Sequence, residues 1–226
     1  MAARCRFRPR PTAPFGPVPA DCTEGPDARR VHDLVSRLVK TGYLEQRAAP
    51  PDRRVRILTP TKKMMAQDQD FLVSHYLPLD ILFPDPGYAP IMNRDPAFQL
   101  KQRLVSRDLF ALGAQILAGN PIMMLFQGRD AGVMILIKMI QMAAAQGGAA
   151  PLKVSYSDLG DRFGVSRTHV RKLMTEAEQM DLVRLTKADG QFVELMPALL
   201  QAFDRLVADA MSGHDLCYQL ALQAAG

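Results

Sequence analysis

VSYSDLGDRFGVSRTHVRKLMTEAEQMDLVRLTKADGQFVELMP, residues 154–197, is the stretch whose reading decides the fold. Leu159, Phe163, Val165, Val170, Leu173 and Met174 recur at helical spacing on either side of Gly164. Glycine fits a tight turn there, because a left-handed backbone costs it nothing sterically. Lys153 to Ser155 reads as a short strand. Ser157 predicts the cap of a helix ending at Phe163, and Ser166 the cap of a second helix through about Glu178. Next comes a hairpin, Leu182–Leu185 and Gln191–Leu195, around Lys187-Ala188-Asp189-Gly190. Asp-Gly between apolar strands is a strong turn signal. Ser166, Arg167, Thr168, His169, Arg171 and Lys172 are left on the outside at the start of the second helix. A helix in a DNA major groove reads bases with its N-terminal side chains, and these residue types suit base edges and phosphates.

The run GVSRTHVRKLM resembles the turn and recognition helix of the GntR and Crp types of bacterial regulator. The resemblance spans residues 154–195. It implies a winged helix-turn-helix in which Ser166, Arg167, Thr168, His169 and Arg171 contact DNA. Lys172, on the same helix, and Lys187, in the hairpin turn, join them as candidate contacts. A winged helix turned to protein binding is the alternative. Asp158, Asp161, Glu176, Glu178, Asp181, Asp189 and Glu194 leave this unit without net positive charge.

Towards the N-terminus, Val31, Leu34, Val35 and Leu38 form one face of a helix that Gly42 stops. Tyr43–Arg47 and Arg53–Leu58 read as two strands. Thr59 followed by Pro60 predicts a helix start. Along the helix that follows, Met64, Met65, Phe71, Leu72, His75, Tyr76 and Leu79 form a heptad-like stripe, read as core or dimer seam. The segment ARRVHDLVSRLVKTGYLEQRAAPPDRRVRILTPTKK resembles the second half of a MarR-type winged helix. Leu38, Val39, Gly42, Tyr43, Leu44, Asp52, Arg53, Arg54, Leu58 and Thr59 match it in order. The resemblance implies that Asp52 braces the wing and that Arg53 or Arg54 enters the minor groove. Arg29, Arg30 and Arg37 on the helix, with Arg47, Arg53, Arg54 and Arg56 on the wing, are the candidate DNA contacts of this region. A solvated basic surface is the plainer reading.

Charge points the same way. The chain carries +5 overall with a pI near 9.3, and the excess lies before Pro60. A basic protein leans towards an anionic partner. Cys5, Cys22 and Cys217 lack metal-ligand spacing and read as free thiols of a reducing compartment. No secretory signal is expected, because the first residues carry arginines without an apolar stretch. The uncharged stretch Leu109–Gly128 is broken at Gly119-Asn120-Pro121, so buried helices joined by a turn are expected there rather than a membrane span. Helices are expected at Pro96–Ala118 and Asp130–Gln146, the second buried on nearly every side, with Gly147-Gly148 ending it.

Phosphate loops, nucleophile elbows and histidines at metal spacing are missing from the sequence, so no enzyme, metal or cofactor is expected. Of the thirteen methionines, Met123, Met124, Met134, Met139 and Met142 cluster around the middle helices, where core packing is the first reading and a pliable effector pocket the second. The expected architecture is mainly α with small β-hairpin wings, a tandem winged helix-turn-helix. It comprises a Pro/Arg-rich segment 1–26, a partial MarR-like unit 27–82, a connector 83–95, and a unit 96–226 with its core at 130–196 and a C-terminal helix. The expected function is a cytoplasmic, sequence-specific regulator of transcription that binds double-stranded DNA. It would be a homodimer through helices 60–80 and 197–224, with no membrane and room for a small-molecule effector. The rivals are a tandem winged-helix protein-interaction module with weak DNA binding, and a ligand-responsive repressor.

Overall fold

A computed structural model describes residues 26–50, 55–148, 151–187 and 191–224. It is mainly helical, with two small antiparallel sheets. Its contacts divide it into two compact units, Met1–Arg107 with Cys217–Gly226, and Asp108–Leu216.

The first unit begins with α1 (Pro26–Lys40). Gly42 (φ +77) turns the chain back, and Tyr43 N–H donates to the Leu38 carbonyl at 2.8 Å. A two-stranded hairpin follows, β1 (Leu44–Ala48) and β2 (Arg56–Pro60), in register from Leu44↔Pro60 to Ala48↔Arg56. Then come α2 (Lys62–Leu82), α3 (Ala89–Met92) and α4 (Pro96–Asp108). The helix start expected at Thr59-Pro60 falls two residues later, at Thr61. Thr59 and Pro60 still pair with Glu45 and Leu44, and a proline is tolerated on such an edge strand. Thr61 Oγ1 accepts from Met64 N–H and donates to the Gly42 carbonyl at 2.7 Å, tying the head of α2 to the α1–β1 turn.

Within this unit α2 supplies Leu72, Tyr76 and Leu79 to the core, while Phe71, expected on the same stripe, is 44% exposed. Tyr76 meets Tyr88 and Tyr218 at ring separations of 5.3 and 6.0 Å, and Phe98 joins Tyr218 at 5.1 Å. The inward face expected of α1 is a further correction. Val35 and Leu38 are half-buried, but Val31 and Leu34 are 51% and 54% exposed, because no described element lies over them.

The second unit holds α5 (Phe110–Ala118), α6 (Pro121–Gln127), α7 (Gly132–Ala145), β3 (Leu152–Lys153), α8 (Tyr156–Phe163), α9 (Arg167–Gln179), β4 (Val183–Lys187) and β5 (Gln191–Leu195). It also takes α10 (Pro197–Gln223) as far as Leu216. The sheet order is β3-β5-β4. Its core includes Phe126, Ile135, Leu136, Met139, Leu152, Leu173, Met174 and Val193. Buried Asn120 is satisfied at both ends: its carbonyl accepts from Met123 N–H, and its amide donates to the Ala202 carbonyl at 2.9 Å. Gly147 and Gly148 end α7 at φ +73 and +75.

Three expectations fail in this unit. The helix expected over Pro96–Ala118 breaks at Leu109. Helix α5 buries nothing, and its Phe110 is 79% exposed. Helix α7 is not buried on nearly every side, since Met134 is 52% exposed; Ile135, Leu136 and Met139 are buried in the core, and Val133, Ile140 and Met142 pack against it half-buried. Apolar composition says that a helix can be buried. Burial itself needs a neighbour on each side. Among the described residues no single helix is long and apolar enough to cross a membrane; α5 and α6 together reach that length but bend by 112° at their break.

Candidate functional site

The site grows from the α8–α9 turn. Ser155 opens α8 by accepting from Asp158 N–H, so the cap lies two residues before the expected Ser157. Gly164 (φ +70, ψ +29) closes that helix with a left-handed residue, as its position predicts. Ser166 caps α9 and accepts from His169 N–H at 3.0 Å. Gly160 lets the two helices approach. A Cβ there would stand 2.6 Å from the Val165 carbonyl oxygen and 3.3 Å from the Arg167 nitrogen. The glycine therefore sets how closely Arg167 sits against α8.

On α9, Val170, Leu173, Met174 and Ala177 are buried to 1% exposure or less. With about 3.6 residues per turn, a helix buried along that arc presents the opposite one. Arg167, also exposed, lies on the flank towards α8, and Thr168, Arg171, Lys172 and Thr175 occupy the outer arc, all exposed. His169 does not. One residue past Thr168 the helix has turned to its other flank, and the half-buried His169 has its Nε2 2.9 Å from the Asp130 carbonyl oxygen. On the same flank Glu176 accepts from Arg129 at 2.6 and 3.1 Å. Both contacts hold α9 to the connection between α6 and α7. Of Ser166, Arg167, Thr168, His169, Arg171 and Lys172, all expected outside, His169 alone is half-buried.

The acids of this unit are distributed in the same sense. Glu176 pairs with Arg129 and Glu194 with Arg184, and Glu178 accepts from Leu185 N–H at 2.9 Å. Arg167, Arg171 and Lys172 have no acidic partner among the described residues. A unit with near-balanced formal charge thus leaves the cations at the start of α9 unpaired.

The sequence reading missed three further cations. Beside α9 lies an open concavity of about 760 Å³. Lys138 of α7, Lys153 of β3, Arg162 of α8 and Arg167 line it, with Met142, Val154 and Leu159 beneath and Ser155 and Asp158 between. Lys138 could have drawn notice as the single charge in the apolar run of α7. Nothing in the chain order hints that β3 and α8 bring two more beside it.

In the first unit Arg29, Arg37, Arg47 and Arg56 are exposed. Asp33 stands between Arg29 and Arg37 at four-residue spacing, on one ridge of α1. Arg47 and Arg56 point to opposite faces of the ribbon, because Arg47 lies across from Ile57 and Arg56 across from Ala48. The side chain of Arg30, all of Asp52, Arg53 and Arg54, the side chain of Lys187 and the turn after it lie outside the described residues. Among the described residues no three His, Cys, Asp or Glu side chains gather where they could hold a metal ion. Comparison with protein families, with characterised proteins and with solved structures finds no match to this chain.

Proposed function

We propose that the chain is a DNA-binding transcription regulator whose second unit acts as a winged helix-turn-helix, with α9 in the major groove and the β4–β5 hairpin as its wing. The observation that carries this reading is the exposed start of α9. Arg167, Thr168, Arg171 and Lys172 are exposed, and its cations lack acidic partners among the described residues, on a helix whose other side is locked in the core. Arginine, lysine and threonine at the start of such a helix are chemically matched to base edges and phosphates.

The first unit serves as a second, weaker contact through Arg29, Arg37, Arg47 and Arg56, in the manner of a partial MarR-like wing. The protein works by binding alone, in the cytoplasm, without cofactor or catalysis. It acts as a homodimer, for which exposed Leu77, Ile81 and Leu82 of α2 and Val207 and Leu216 of α10 offer apolar surface. Two-fold symmetry then places paired half-sites about one helical turn, or a multiple of it, apart.

The test is fluorescence anisotropy of the protein against a pool of random duplexes across a salt series, beside the Arg167→Ala/Arg171→Ala variant. Tight, salt-steep binding is expected, with the slope of log affinity against log salt reduced by about 2 in the variant. Absence of binding at low salt, or full binding by the variant, overturns the reading. The exposed apolar α5 favours a second reading, a protein-interaction module, and binding insensitive to both salt and the variant would turn the assignment to it.

A further inference from the structure

We infer that the concavity beside α9 is a binding site for a phosphate-bearing anion. Lys138, Lys153, Arg162 and Arg167 come from four different elements and converge on one open space, against a single lining carboxylate, Asp158. None of the four cations has an acidic partner within ion-pair distance among the described residues, whereas Arg129, Arg184 and Arg205 of the same unit all do. Four cations lining one space against one carboxylate give it a positive excess that favours an incoming anion. The floor of Met142, Val154 and Leu159 is apolar, so the site suits a phosphate carrying an organic group rather than a bare ion. Its volume of about 760 Å³ holds a nucleotide or a short run of sugar-phosphate backbone.

Two sources supply that chemistry: the backbone of a duplex read by α9, and a free nucleotide. Arg167 lines the concavity and also stands exposed at the start of α9. A free nucleotide seated here would therefore compete with DNA. The site does not depend on the DNA-binding proposal, and the experiment keeps the two apart.

Amide NMR of the whole protein is followed while a nucleoside triphosphate, inorganic pyrophosphate or a random-sequence duplex is added. The triple variant Lys138→Gln/Lys153→Gln/Arg162→Gln is run in parallel. None of its three positions lies on the outer arc of α9, and Lys153→Gln alone serves if the triple variant loses its native spectrum. Saturable shifts at Ser155, Asp158 and Arg167 on adding the triphosphate, weakened at least about tenfold in the variant, are expected if the source is a free nucleotide. Should only the duplex move these amides, the variant is expected to lower the salt slope of duplex binding by about 3, at roughly one per phosphate contact. Triphosphate binding without duplex binding retires the DNA-binding proposal and keeps the site. Failure of every anion to move these amides, or undiminished binding by the variant, overturns the site.

Discussion

The chain contains two arrangements of the same local kind, a helix followed by an antiparallel hairpin, and they differ in what stands behind the helix. Behind α9 lies a core: Val170, Leu173, Met174 and Ala177 are sealed, and His169 and Glu176 fasten its flank to the α6–α7 connection. Behind α1 the described residues place little, and two of its four stripe residues are more than half exposed. Its amphipathic pattern is nonetheless the stronger to the eye, with arginines along one side and aliphatics along the other. An amphipathic pattern shows which side of a helix should be covered. A fixed outer face also requires the cover, because only packing holds the outer side chains in one orientation.

Core truncation should separate the two regions most widely. Leu173→Ala, at a site 1% exposed, is expected to lose about 2–5 kcal/mol, while Leu34→Ala should stay within about 0.5 kcal/mol. Chemical denaturation followed by amide signals of each unit measures both; equal losses would break the comparison. Next in size is Gly160→Ala. Its Cβ must displace the Val165 carbonyl or the Arg167 backbone, so about 1–3 kcal/mol should be lost along with duplex affinity. Gly42→Ala, in the first region, meets no neighbouring atom and carries only the cost of its positive φ, about 1–2 kcal/mol.

The caps give a finer contrast. Ser166→Ala and Ser155→Ala should each cost about 1 kcal/mol in thermal unfolding, because each removes an acceptor from a helix N-terminal N–H. Ser157→Ala, at the position the sequence suggested for the cap, should change stability by less than about 0.5 kcal/mol. A larger effect at Ser157 than at Ser155 would sink that correction.

The smallest effect concerns pH. Burial pushes the Tyr156 hydroxyl above the ordinary tyrosine pKa of 10.0, and the negative charge of Glu178 raises it further. A pKa raised in the folded state means that folding favours the protonated phenol. This contribution is whole below the unfolded value of about 10 and is lost as pH climbs through the higher folded value. Ultraviolet titration should show a late-ionising tyrosine that Glu178→Gln moves down and Tyr156→Phe removes. An ordinary titration of every tyrosine would contradict the burial.

How much of this was legible in the sequence depended on the range over which each signal acts. Gly164, Ser166 and the period of Leu159, Val170, Leu173 and Met174 declared two helices joined by a tight turn, because turns, caps and periodicity are set within a few residues. Cap positions slipped by two residues at Thr61 and Ser155, where strand pairing and side-chain contacts compete with local preference. The basic concavity was not legible, since Lys138, Lys153 and Arg162 lie on three separate elements. The orientation of His169 depended on a carbonyl thirty-nine positions away.

By itself, then, the sequence determined which segments coil, where they stop and which side of α9 is apolar, since those follow from backbone sterics and side-chain period. Only the tertiary structure decided which apolar faces find cover, which acids are spent on their own arginines and which cations are left to gather in one place. Burial and charge pairing act between residues distant along the chain, and that distance closes only when the chain folds.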